Sequence, residues 1–516
     1  MPKKIIIVLL FFALFSKSQP YTVIKGKEFD VSDKKTSFLV IEADDNSFYM
    51  LRRKSNSEEP VLCRFDIPSA SLQYEKKIEM KSEEVIIEAY NRNGKVILLS
   101  SIIEKKAHKE LFLLRIINTV NGEMMGNVKV LEEIDTKNDN GGYWYFRLYF
   151  SPDNKKMMAL LSEKTAEGPR KSVAKLYDTD NFKKIWEKQP VETFENSYAY
   201  SSDFMTDNDG RFIYLMAYLR AGSSDNIIYA VCLSSANNTT NQFIKVPSDN
   251  KTTLNLNLEQ LENGLVCTGE FLDGTNTAKE YAKLATTGFF ALTIDTKEAT
   301  TKGQSYDYLS PELQGKLTYK AKNPVYKLKG IKKDNKLFKH FHSFYIDGAL
   351  YVVKYHGYDY TLSGSNSTMR YHYGREIIVL KYGSDKKLEW MQIIPRNAVE
   401  VEGYGNTNVL QMTGTKELHL VYYDRDKNLQ TFPDVNVYDP AKYKGIMAFS
   451  NKTWPVCVTL SKNGTLKREI IKGTGENEVE LWDLEENAGT KKNNLILSPK
   501  FDKKNVATID ILTINE

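Results

Sequence analysis

The stretch that decides the fold is Lys339-His-Phe-His-Ser-Phe-Tyr-Ile-Asp347-Gly348-Ala-Leu-Tyr-Val-Val-Lys-Tyr355-His-Gly-Tyr-Asp-Tyr360. Two short apolar strands, Phe341–Ile346 and Leu350–Tyr355, flank an Asp-Gly pair. Both turn residues tolerate positive φ, so the dipeptide closes a tight hairpin between alternating strands. The second strand then runs into a loop rich in Tyr and His, continues through Ser363–Ser367, and returns at Met369-Arg-Tyr-His-Tyr373.

The hairpin half of this stretch recurs along the chain. Asn93-Gly94, Asp153-Asn154, Asp209-Gly210, Asn263-Gly264 and Asn463-Gly464 each sit between two apolar runs of strand length. Groups of strand, tight turn, strand, longer link, strand, turn, strand begin near residues 38, 85, 144, 198, 254, 341, 408 and 479. None contains a long stripe of helical period, so the chain reads as all-β. A four-stranded antiparallel meander repeated this often predicts a β-propeller rather than a chain of separate sandwiches. The count favours eight blades. It becomes seven if the last two groups share one blade around a long insertion. The strand Tyr21–Phe29 is expected to join the last group and close the ring, because an open ring would leave unpaired backbone.

Outside the repeats, residues 1–18 read as a signal peptide. Lys3 and Lys4 precede an apolar run from Ile5 to Phe15 and then small residues at Ser16 and Ser18. The run is too short to span a bilayer. The expected organisation is a secreted or periplasmic protein with one propeller domain over 19–516. A Lys-rich insertion is placed near 297–336, in which Pro311 could open a short helix. No stable membrane insertion is expected, and the domain is read as a monomer.

Composition is that of a globular chain, 41% hydrophobic and 27% charged, with 31 tyrosines. The formal net charge of +5 falls to +2 without Lys3, Lys4 and Lys17. That leaves no electrostatic case for nucleic acid. The four cysteines, Cys63, Cys232, Cys267 and Cys457, are far apart and read as buried small hydrophobes. A Cys232–Cys267 pair stays open if neighbouring repeats bring them together.

This order of parts resembles that of exported bacterial β-propellers and, more broadly, WD-repeat, kelch and YVTN-type propellers. Leu176-Tyr177-Asp178 and Leu481-Trp482-Asp483 echo the strand-ending Trp-Asp. The paired glycines of kelch repeats and repeated Asp-x-Asp-Gly metal loops are not in the sequence. The resemblance implies a ring that binds a protein, peptide or glycan across one face. It carries over no catalytic residue.

The residues singled out for binding are Tyr355, His356, Tyr358, Asp359, Tyr360, Tyr371, His372, Tyr373 and Arg375. Planar rings beside hydrogen-bonding groups suit a sugar or a peptide. His340, His342, His356 and His372 are four of the six histidines. Their spacing matches no compact metal motif, so no metal and no cofactor is expected. Asp153, Asp209, Asp347 and Asp424 lie at turns, where Asp ordinarily bonds its own backbone. Gly303-Gln304-Ser305 is followed by Asp307 where a nucleophile elbow needs glycine. The function expected is non-enzymatic binding by an exported propeller. The alternatives are a propeller enzyme, either a saccharide hydrolase or lyase or a metal-dependent lactonase-like hydrolase, and a structural part of an envelope complex.

Overall fold

The computed structural model describes residues 21–514 except 31–36, 42, 45, 54–58, 137–142, 165–171, 190–192, 195–196, 220–226, 237–240, 262–263, 275–285, 318–337, 364–367, 402–409, 414–415, 434–437, 440–441, 448–452, 472–487, 490–493, 497–499 and 504–505. The expected leader lies outside the described residues.

Seven antiparallel sheets follow one another, each built from successive strands. Blade 1 is Ser37–Ile41, Ser47–Arg53, Val61–Asp66 and Ser71–Lys77; blade 2 is Val85–Arg92, Lys95–Glu104, Lys109–Asn118 and Lys129–Asp135. Blade 3 is Tyr143–Phe150, Lys156–Lys164, Ser172–Asp178 and Lys184–Lys188; blade 4 is Ser197–Thr206, Phe212–Leu219, Ile227–Ser234 and Gln242–Lys245. Blade 5 is Lys251–Leu261, Gly264–Asp273, Gly288–Asp295 and Thr300–Tyr308; blade 6 is Phe338–Ile346, Ala349–Ser363, Thr368–Tyr382 and Leu388–Ile394. Blade 7 is Leu410–Thr413, Leu418–Arg425, Thr453–Leu460 and Leu466–Ile470.

The expectation of eight blades is therefore corrected to seven. Gly445–Phe449 reads as a blade strand in sequence, but Ile446–Met447 pairs outside the blade, with Ala398–Val399. The outer strand of blade 7 is instead Leu466–Ile470, reached through the Asn463-Gly464 turn. That turn closes blade 7 and opens no new group. The remaining strands form two short sheets that mix the chain ends. Tyr21–Ile24 pairs with Ile511–Ile514, and Phe29–Asp30 pairs with Val506–Thr508. Val479–Leu484, expected to start an eighth group, lies outside the described residues.

Apolar faces explain the ring. Central strands are covered on both sides by neighbouring blades, so they read as continuous runs such as Val96–Leu99. One cluster joins Tyr49 and Leu62 of blade 1 to Val96 and Leu98 of blade 2, and others repeat this between each consecutive pair. Tyr21, Val23 and Leu512 pack on blade 7, while Phe29, Ala507 and Ile509 pack on blade 1. Each such fully buried side chain contributes about 1.5–3 kcal/mol. First strands touch one another between blades 1 and 2 and from blade 3 through blade 6, which places them nearest the axis. Outer strands alternate towards solvent. Thr300–Tyr308, expected inside an irregular insertion, is such a strand: its polar, Lys-bearing sequence suits an exposed edge. After it, Pro311–Gly315 forms the short helix, with the Ser310 hydroxyl accepting from Leu313 N–H at 3.2 Å.

In a meander, first-to-second and third-to-fourth turns share one end of the blade. There the turns are tight, as at Asp347-Gly348, where φ is +54° and +77°. The longer connections gather at the other end. That end carries the extensions described next.

Candidate ligand-binding site

The two middle strands of blade 6 outgrow their blade. Leu350–Tyr355 pairs with Ile377–Tyr382 inside the ring. After a bulge between Tyr355 and Gly357, the ladder continues from Gly357↔Gly374 to Ser363↔Thr368. Bulges re-aim a strand pair, which lets this hairpin leave the plane of the blade. Sequence reading treats Tyr355–Tyr373 as a loop; it is strand on both sides of residues 364–367, which lie outside the described residues. Its Tyr- and Thr-rich composition is that of a strand, and only the lack of an apolar core face disguised it. Ala398–Val401 adds a third strand against Tyr371–Gly374, and Ile446–Met447 a fourth, parallel one. Together these make an accessory sheet at the long-connection end, over blades 6 and 7.

Its base is polar and closed from solvent. His356 and Glu376 are both fully buried, with His356 Nδ1 3.4 Å from Glu376 Oε2. The Tyr438 hydroxyl, from the connection between the second and third strands of blade 7, donates to Glu376 Oε1 at 3.3 Å. Phe338 covers the His356 ring, centroids 5.4 Å apart. Arg375 and Arg396 are each 3% exposed. The Arg396 guanidinium lies where a Cβ on Gly374 would stand, 2.9 Å away. Glycine lets the guanidinium lie against the strand, and a Cβ there would push it aside.

Nine residues were expected to bind. Tyr355 is half-buried and packs into the core between blades 6 and 7. His356 and Arg375 are buried in the base, so they support the accessory sheet and are not presented on its surface. The ladder sets Tyr358 opposite Tyr373, Asp359 opposite His372, and Tyr360 opposite Tyr371. The side chains of these six lie outside the described residues. His342, separated from His340 by a bulge, pairs with Glu259 of blade 5 at 2.9 Å. Among the described residues, no group of three or more His, Cys, Asp or Glu is placed to hold a metal.

Several residues escaped the sequence reading. Lys354, on the second strand of blade 6, is 0% exposed, and its Nζ makes no hydrogen bond among the described residues. Burial pushes its ammonium below the ordinary range, against the attraction of Glu270. Burial likewise pushes the Glu270 carboxyl up. Glu270 accepts from Phe338 N–H at 2.8 Å, from Asn255 Nδ2 at 2.9 Å and from the Thr286 hydroxyl. Asn255 and Asp203 both stand at positive φ on bulged first strands, and each reaches the next blade. Asn255 donates to Phe338 O at 3.2 Å, and Asp203 Oδ2 accepts from Leu258 N–H at 2.8 Å. These are latches between blades. The available signal was charge set against an apolar run: Lys354 after Val352-Val353, and Arg375-Glu376 before Ile377-Ile378. Cys63, Cys232, Cys267 and Cys457 are all buried free thiols.

No helix among the described residues is long and apolar enough to cross a membrane. No family model matches the chain, and no curated protein matches it. Similar solved structures include the β-propeller domain of the Trilobed protease from Pyrococcus furiosus, at 10% identity and TM-score 0.34, covering 69% of this chain and 95% of that one. Prolyl oligopeptidase B from Galerina marginata is similar at 9% identity and TM-score 0.41, covering 90% of this chain and 56% of that one. A member of the DUF4221 family from Bacteroides vulgatus is similar at 9% identity and TM-score 0.30, covering 87% and 99%. At these values the fold rests on the strand order described above, and no activity passes to this chain.

Proposed function

We propose that the protein is an exported, non-enzymatic propeller that binds a protein, peptide or glycan through the accessory sheet at its long-connection end. The observation that carries this reading is the hairpin Gly357–Gly374. It is not needed to complete blade 6, yet it is braced by a third and a fourth strand and by a buried polar base. Its ladder brings two pairs of tyrosines into opposed positions. Tyrosine supplies large contact area with little conformational freedom to lose, and it serves sugars and peptides alike.

The test is retention of the mature chain on glycan and peptide arrays, with the Y360A/Y371A variant beside it. The expected outcome is a retained class of molecule whose retention falls at least tenfold in the variant, while the urea midpoint stays unchanged. Equal retention by both proteins would remove the accessory sheet from the reading. Turnover of an arrayed saccharide would replace binding by catalysis.

A further inference from the structure

Blade 7 carries a buried device at the root of its second-to-third connection. Asp424, near the end of the second strand, is 1% exposed. Its Oδ1 accepts from Asn428 Nδ2 at 2.6 Å and from Arg425 N–H at 2.7 Å. Its Oδ2 accepts from the Tyr443 hydroxyl and lies 3.6 Å from Arg468 Nη1. Asn428, itself 1% exposed, lies in the short helix Asp426–Thr431 that opens this connection. Its Nδ2 also donates to Lys444 O at 2.7 Å, and its Oδ1 accepts from Lys444 N–H at 2.9 Å. One side-chain amide thus imitates a backbone pair and clamps the two ends of the excursion together.

That clamp reaches the accessory sheet by a continuous path. Lys444 stands two residues before Ile446, Ile446 pairs with Ala398, and Ala398 pairs with Gly374 of the hairpin. The Tyr443 hydroxyl also lies 3.1 Å from Pro395 O, just before the link that carries Ala398. A strand of two residues, Ile446–Met447, has too few ladder bonds to hold its own place against the entropy of a long connection. It has to be delivered there.

We propose that Asn428 and Asp424 are positioning residues for the accessory sheet, delivering Ile446–Met447 so that blade 7 sets the placement of the blade 6 hairpin. The functional consequence rests on the binding reading above; the mechanical coupling does not. In a minor open state the clamp is released, the fourth strand leaves, and the third strand protects the hairpin less.

Amide hydrogen exchange on the full mature chain, without ligand, tests this. N428A is expected to speed exchange at residues 371–374 and 398–401 at least tenfold, with Lys95–Glu104 and Lys109–Asn118 of blade 2 at wild-type rates. Y443F, which removes only a hydroxyl, is expected to act in the same direction more weakly, and it serves if N428A does not fold. Acceleration confined to residues 426–444, or equal acceleration in every blade, would overturn the proposal. On the arrays, N428A is expected to lower retention of whatever wild type retains. Exchange coupling together with empty arrays would sink the binding reading and leave the positioning role standing.

Discussion

Blades 2 and 6 each bury a glutamate with a basic partner at the same end and do opposite things with it. In blade 2 the acid belongs to the incoming connection. Glu84, 1% exposed, binds both terminal nitrogens of Arg115, with Oε2 2.8 Å from Nη2, and also accepts from Ser100. The pair ties the link flat onto its own blade. In blade 6, Glu376 and His356 sit where the ladder departs from the ring, and the third contact, Tyr438, comes from blade 7. A buried ion pair is weak evidence for net stability but strong evidence for a unique arrangement once removal of one partner is considered. Blade 2 spends that specificity on closing itself; blade 6 spends it on holding an extension in place.

The comparison can be broken by removing single partners. Arg115→Met leaves Glu84 buried without its cation, and the expected loss is about 3–5 kcal/mol in urea unfolding. A loss below about 1 kcal/mol would mean that the link is held by packing alone. At blade 7, burial pushes the Asp424 carboxyl up from 3.8 to about 6, with the hydrogen bonds from Tyr443 and Asn428 opposing the shift. The folded state therefore holds this proton more tightly than the unfolded chain. Stability from this group is greatest below about pH 4, falls as pH rises towards 6, and is level above. The whole change is about 3 kcal/mol. Unfolding measured between pH 4 and 7 should lose this slope in D424N; a slope that persists belongs to another group. Glu376→Gln is expected to have the smallest effect. It keeps the shape but replaces one acceptor oxygen by an N–H donor, at about 1–2 kcal/mol. If blade 6 differs from blade 2 as described, the exchange rates that rise in E376Q are those of Gly357–Gly374 and not those of the ring.

Much of the propeller was legible because its signals are local. Asn93-Gly94 and Asp347-Gly348 take the positive φ values that their composition demands. The apolar runs beside them became central strands. The count was not legible, since it turned on Ile446–Met447, whose partner lies at Ala398–Val399 and not beside it in sequence. The candidate site was chosen in the sequence for its crowding of rings and hydrogen-bonding groups over Tyr355–Arg375. Burial is what that composition did not disclose: His356 and Arg375 form the closed footing of the segment. Glu376 carried only the signal of a charge beside an apolar run, and Tyr438 and Asn428 carried none.

The sequence by itself determined the four-stranded rhythm, the tight turns and the all-β character, because turn dihedrals and side-chain alternation depend on near neighbours. Only the tertiary structure decided that there are seven blades, that the aromatic segment is a braced hairpin, and that blade 7 reaches across to support it. Strand pairing and burial of charge join residues far apart in the chain, and no local preference specifies them.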